Sequence, residues 1–225
     1  MKRLLIFDFD GVLADSEVLA NAVLAEMVTE LGVPTTTEDS LRRYVGKRLQ
    51  DVILTVEQTV GRPMASDFVV AYQQRTLARL RAEVRLVAGA REFLDTFAEV
   101  PRCIASSSPP DRIAACLDAL HLVDLFEERV FSASQVSRGK PHPDIFLFAA
   151  ERMGVAPADA LVLEDSVGGV SAAIAAGMTV IGLTAASHIR DGHSERLTAA
   201  GAHHIATTFA QAADIARRYV PQSPR

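Results

Sequence analysis

At 225 residues, with 49% hydrophobic and 23% charged side chains, the chain has ordinary globular composition; this excludes disorder or a coiled coil and allows one large domain or a core with a modest second one. A net charge of −5 argues against a protein that coats nucleic acid or an anionic membrane, so neither is expected as a partner. No run approaches the ~20 apolar residues of a membrane span, and Asp8 cuts short the apolar start MKRLLIF before it can form a signal-peptide core, which makes the cytoplasm the expected compartment.

In chain order, residues 4–9 are compact and apolar with no room for a helical repeat, which predicts a buried strand. The period then changes. From Ser16 to Leu31 the apolar positions Val18, Leu19, Ala22, Val23, Met27, Val28 and Leu31 fall three to four apart, and Gly32 and Pro34 stop the helix. The same spacing recurs at Leu49, Val52, Ile53, Val56 and Val60, ended by Gly61, and at Phe68, Val69, Tyr72, Leu77 and Leu80, so residues 16–83 read as all helical. Beyond Val84, residues 103–108, 128–133, 160–166, 179–184 and 203–208 read as short strands, with helices at 110–120, 144–153, 168–176 and 208–219. Such alternation implies right-handed crossovers and a parallel sheet with helices on both faces. The expected fold class is therefore α/β, a core of residues 1–14 and 85–225 carrying an inserted all-helical domain of residues 15–84. Cys103 and Cys116, in apolar runs and without a CxxC or Cys/His cluster, are expected to be buried thiols.

Chemistry in a parallel sheet sits at the carboxyl ends of the strands, beside the point where strand order reverses. Asp8 and Asp10 leave the first strand, Ser106, Ser107 and Ser108 leave CIA, and Glu164 and Asp165 leave LVL, while Lys140 stands in the loop RGKPHPDIF. If the chain stays extended, Asp8 and Asp10 lean to the same side, and Gly11 then lets the backbone turn. Several carboxylates in one crevice repel, and an oxygen-only donor set favours a hard cation such as Mg²⁺. Taken singly, a strand-end Asp is most often a turn or capping residue, a serine cluster before a proline an N-cap, and a loop lysine a solvated charge. The joint order of acid pair, hydroxyl cluster, lysine and acid pair is what points to a site.

That order resembles the haloacid dehalogenase-like (HAD) hydrolase superfamily: DFDGVLADS looks like its first motif, IASSS its second, GKPHPDIF its third and LVLEDSVGGV its fourth. The helical insert resembles the small cap of the phosphoglycolate phosphatase and beta-phosphoglucomutase branch, on a Rossmann-like core. The resemblance implies Asp8 as nucleophile and Asp10 as the acid and base. It further implies Mg²⁺ held by Asp8, the Asp10 carbonyl and Asp165 with Glu164 assisting, and phosphoryl oxygens bound by Ser106, the Ser107 amide and Lys140. Dehalogenases of this superfamily lack an acid at the position of Asp10, so phosphoryl transfer is expected. Mutases of the beta-phosphoglucomutase type carry a histidine early in the first cap helix where this chain has Ala20 and Asn21, which favours hydrolysis.

In the insert, Lys47 and Arg48 beside Gly46 are the expected specificity residues, reading the carboxylate or hydroxyls of a sugar phosphate or phosphorylated sugar acid such as 6-phosphogluconate. The implied enzyme is a monomer or weak homodimer acting on a small phosphorylated metabolite. A sugar phosphomutase is the first alternative, and a phospho-accepting signalling domain or inactive binding protein the second. His188, His193, His203 and His204 are scattered late in the chain and carry no assignment.

Overall fold

A computed structural model describes residues 3–45 and 49–220, and the chain divides into two compact units, Met1–Asp15 with Arg85–Arg225, and Ser16–Val84. The first unit opens with β1 (Leu4–Phe7). The second holds α1 (Glu17–Glu30), α2 (Thr37–Tyr44), α3 (Leu49–Val60) and α4 (Phe68–Glu83). The chain then returns through α5 (Ala90–Thr96), β2 (Arg102–Ser106), α6 (Pro110–Ala119), α7 (Val123–Phe126), β3 (Val130–Ser132), α8 (Asp144–Met153) and β4 (Ala160–Glu164). It ends with α9 (Val167–Ala175), β5 (Thr179–Leu183), α10 (His193–Ala199), β6 (His204–Ala206) and α11 (Phe209–Ala216).

The six strands form one parallel sheet in the order β3-β2-β1-β4-β5-β6, a Rossmann-like α/β fold. All four residues of β1 are buried because helices cover both faces of a central strand. Alternation divides them. Phe7 meets Phe93 of α5 and Phe126 of α7 edge to face at centroid distances of 5.9 and 6.1 Å, while Leu4 and Ile6 join Cys103, Ala105, Val162, Ile145 and Phe146 in one hydrophobic cluster. Strand order reverses between β1 and β4, so the carboxyl ends of these two strands flank the crevice where such sheets bind ligands.

Most predicted elements are present, but the strands are shorter than the apolar runs suggested. β1 stops at Phe7 rather than residue 9, because the Phe9 carbonyl accepts from the Leu13 and Ala14 amides (3.0 and 2.9 Å) and starts a turn. The helices α5, α7 and α10, of seven, four and seven residues, fall where no element was predicted, being too short for a helical period to repeat.

The second unit is a four-helix cluster around Val23, Leu24, Met27, Val28, Tyr44, Val52, Val56 and Phe68. A capping box starts α2: Thr36 Oγ1 accepts from the Asp39 amide at 3.1 Å and Asp39 Oδ2 accepts from the Thr36 amide at 3.2 Å. Inside it, Asn21 donates to the Glu17 carbonyl and accepts from Ser40 Oγ at 2.8 Å. Lys47 and Arg48 lie outside the described residues. Among the described residues no helix is long and apolar enough to cross a membrane.

Candidate active site

Pairing of β1 with β4 continues one residue past the strand, the Asp8 amide donating to the Leu163 carbonyl at 2.9 Å, and this brings the Asp8 carboxylate beside Glu164. Between them stands Lys140, whose Nζ donates to Asp8 Oδ1 at 2.5 Å and Glu164 Oε2 at 2.7 Å and lies 4.8 Å from the centre of the Phe146 ring. The Lys140 side chain is only 6% exposed, so the three charges are partnered largely by one another. Glu164 Oε1 accepts from the Ser166 amide and hydroxyl, at 3.1 and 2.7 Å. Gly169, in the first turn of α9, makes room for this carboxylate: a Cβ there would lie 2.0 Å from Glu164 Cδ.

Asp165, the next residue, is held at two atoms. Its Oδ2 lies 3.3 Å from His188 Nε2 and its backbone carbonyl 2.5 Å from His193 Nε2. Gly11 packs against the same carboxylate. With φ at +81° and a hypothetical Cβ only 1.9 Å from Asp165 Oδ2, no other residue fits that turn unstrained.

Asp10 belongs to a different set of partners. The turn begun at Phe9 removes it from the strand, so the condition of an extended Asp8–Asp10 segment is not met, and its Oδ2 accepts from Ser108 Oγ while Oδ1 accepts from Arg112 Nη2, both at 2.6 Å. Ser106 Oγ accepts from the Ser108 amide at 3.0 Å, and the Ser108 carbonyl accepts from Ser132 Oγ at 2.8 Å, which ties the loop after β2 to β3. Ser106 is buried and Ser107 exposed.

Burial pushes the Asp8 carboxyl well above the ordinary range; Glu164 adds to this, and Lys140 opposes it without cancelling it. Burial alone would lower the Lys140 ammonium, but Asp8 and Glu164 outweigh it and hold the lysine charged. Asp8, Glu164 and Asp165 each present a carboxylate oxygen within 4.8 Å of the other two. Three carboxylates against one ammonium leave an excess of two negative charges, in an oxygen-only donor set that fits a hard divalent cation. The Asp10 carboxylate, committed to Ser108 and Arg112, is outside that group, which leaves its backbone carbonyl as what it has to offer there.

Thus Asp8, Lys140, Glu164 and Asp165 converge as one cluster, with Asp10 and Ser106 linked separately through Ser108. Sequence reasoning missed four participants: Ser108 in this role, Arg112, His188 and His193. The strand-end rule that found the others points to both histidines, because they follow β5, the neighbour of the strand carrying Asp165. Arg112 lies four residues after Ser108, at the start of α6.

The sequence pattern of the haloacid dehalogenase-like hydrolases matches residues 5–183. The chain belongs to that family. Among the relatives of this HAD hydrolase is the 6-phosphogluconate phosphatase of Escherichia coli (strain K12), 30% identical over 183 residues that cover 81% of this chain and 82% of that one. Among solved structures, a conserved haloacid dehalogenase-like protein of unknown function from Agrobacterium tumefaciens superposes with a TM-score of 0.87 at 35% identity, covering 97% of this chain and 99% of the other. A HAD family hydrolase from Deinococcus radiodurans R1, with bound phosphate and sodium, superposes with a TM-score of 0.83 at 31% identity over 100% of this chain and 99% of its own. The HAD hydrolase falls in the branch of phosphoglycolate phosphatases and beta-phosphoglucomutase-like proteins and is a phosphoric monoester hydrolase.

Proposed function

We propose that this HAD hydrolase is a Mg²⁺-dependent phosphatase of small phosphorylated metabolites, sugar phosphates or phosphorylated sugar acids such as 6-phosphogluconate, working through an aspartyl phosphate at Asp8. The buried cluster of Asp8, Lys140, Glu164 and Asp165 at the carboxyl ends of β1 and β4 carries the reading. A carboxylate oxygen of Asp8 attacks phosphorus, the bond from phosphorus to the substrate oxygen breaks, and Asp10 gives that oxygen a proton. Asp10, now a carboxylate, takes a proton from a water that attacks the same phosphorus, breaking its bond to Asp8 and releasing inorganic phosphate. Ser106 and the Ser107 amide bind phosphoryl oxygens, and Lys140 neutralises charge that spreads over them. Asp8, Asp165 and the Asp10 carbonyl, with Glu164 assisting, would hold Mg²⁺, whose positive charge would offset repulsion between the anionic nucleophile and the anionic ester.

For the substrate, support comes from the 6-phosphogluconate phosphatase relative, from a second relative named hexitol phosphatase B, and from the cationic pair Lys47 and Arg48, which suits a carboxylate or hydroxyls. Asn21, at the cap position discussed for mutases, is buried and committed to Glu17 and Ser40, which supports hydrolysis over a mutase.

Phosphate release from a panel of sugar phosphates, phosphorylated sugar acids and p-nitrophenyl phosphate, with Mg²⁺ and with EDTA, is the test. Turnover is expected only with the metal and is lost in Asp8→Asn. Absence of release from every ester, or activity surviving in Asp8→Asn, overturns the proposal. Isomer interconversion primed by a trace of bisphosphate would assign the mutase instead. Lys47→Ala and Arg48→Ala are expected to raise KM for the phosphorylated sugar acid far more than for p-nitrophenyl phosphate.

A further inference from the structure

We infer that His188 and His193, in the segment from the loop after β5 to the first residue of α10, are positioning residues that clamp Asp165, one at its carboxylate and one at its backbone, and so set the affinity of the site for its divalent cation. The inference rests on the metal reading above. Its ground is that two imidazoles five residues apart engage the same aspartate at different atoms, Nε2 of His188 at Oδ2 (3.3 Å) and Nε2 of His193 at the carbonyl (2.5 Å).

Hydrogen-bond chemistry fixes what His193 does. A guanidinium only donates, and Arg196 Nη2 lies 2.9 Å from His193 Nδ1, so Nδ1 accepts. The proton is then on Nε2, which donates to the Asp165 carbonyl, an acceptor without alternatives. The imidazole is therefore a neutral strut between an exposed arginine and the metal-ligand backbone. His188, 6% exposed, faces the carboxylate oxygen that Gly11 also packs against, which leaves Oδ1 as the oxygen free to turn to a cation. Both imidazoles thus turn Nε2 toward oxygens of Asp165, one at the carboxylate and one at the carbonyl.

The loop carrying His188 is itself tied down. The Ser187 amide and Oγ both donate to Asp15 Oδ1, at 3.2 and 2.8 Å, and the Ile189 amide donates to the Ala186 carbonyl at 3.2 Å. Asp15 lies at the end of the segment that begins with Asp8, so the loop is anchored to the same stretch of chain that supplies the nucleophile. Groups that orient a metal ligand in this way typically change affinity by about ten- to a hundredfold when removed.

Calorimetric titration of MgCl₂ into the EDTA-stripped full-length protein tests this without turnover. His188→Ala and His193→Ala are expected to weaken Mg²⁺ binding about tenfold or more. His188→Gln, whose amide nitrogen can take the place of Nε2, is expected to recover most of the loss, which a merely space-filling role would not produce. Circular dichroism melts in EDTA check the fold, and because His193 is only half-buried, its variant carries the test if His188→Ala does not fold. Wild-type protein and Asp165→Asn are titrated alongside. Tight wild-type binding shared by the alanine variants overturns this inference alone, whereas no Mg²⁺ binding by the wild type overturns the metal reading and this inference with it.

Discussion

Asp8→Asn and Lys140→Met perturb one buried cluster in opposite directions. Without metal, Asp8 and Glu164 share a single ammonium with Asp165 close by, and the Asp8 carboxyl sits well above its usual range, through burial first and Glu164 second. A carboxyl whose pKa is raised on folding holds its proton more tightly in the folded chain. Stability therefore falls as pH climbs from the unfolded value, near 3.8, toward the folded one. Asparagine removes that penalty, while Glu164 at 2.7 Å keeps Lys140 paired. Several kcal/mol of ion desolvation, less the lost attraction to Lys140, leaves an expected gain of about 1–3 kcal/mol for metal-free Asp8→Asn at neutral pH, and a flatter stability profile above about pH 4. Lys140→Met strands two buried carboxylates and is expected to cost about 3–5 kcal/mol. Urea unfolding in EDTA followed by circular dichroism measures both, and amide exchange over Leu4–Phe7 and Ala160–Glu164 reports the core unit separately from the helical one. Millimolar Mg²⁺ is expected to stabilise the wild type more than Asp8→Asn and so to narrow the gap. A metal-free Asp8→Asn less stable than wild type by more than about 1 kcal/mol, or a neutral Lys140→Met, would refute the electrostatic account.

Arg112→Ala removes the guanidinium that donates to Asp10 Oδ1; kcat/KM for an alkyl phosphate, whose leaving oxygen needs a proton, is expected to fall about tenfold or more, with p-nitrophenyl phosphate nearly unchanged. Equal losses on both esters would exclude a role through Asp10. Gly11→Ala forces a Cβ to within 1.9 Å of Asp165 Oδ2 at φ +81°, and is expected to lower stability by at least about 2 kcal/mol, read as a melting temperature lower by about 4–8 °C, together with most of the activity. Burial, with Asp10 nearby, pushes the Cys116 thiol up to about 11, and burial raises Cys103 further, so Ellman's reagent is expected to find neither thiol in the native protein and both in urea.

How much of this was legible in the sequence follows from where polarity contrasts with its surroundings. In a sheet covered on both faces the strands are apolar runs, so Asp8, Ser106, Glu164 and Asp165 stood out at their ends. The same contrast misled on length: Phe9 is fully buried, yet it belongs to the turn, and hydrophobicity cannot tell a buried turn from a buried strand. The helices α1, α3 and α4 were readable because they run long enough for the 3.6-residue period to repeat. Side-chain partners were not readable. Asp10 meets Ser108 and Arg112 from about a hundred residues away, a pairing fixed by the packing of β2 beside β1 rather than by any local pattern. His188 and His193 looked scattered because what joins them, Asp165, lies on another strand end.

The partners, more than the residue types, separate the two aspartates. Asp8 and Asp10 are two residues apart, so composition and spacing treat them alike. One is set among Glu164, Asp165 and Lys140, where negative charge is in excess and a cation is wanted. The other is set between a hydroxyl and a guanidinium, where a lone carboxylate is already satisfied. Different environments for neighbouring titratable groups are what allow different chemical roles. The turn at Gly11 produces the difference: had the strand continued extended through residue 10, both carboxylates would lean to one side and compete for one cation. By ending the ladder at Phe7 and curling the chain on the Phe9 carbonyl, the fold delivers Asp10 to the loop after β2 instead. On the proposed chemistry this leaves Asp8 free to attack phosphorus while a separately held Asp10 handles the proton.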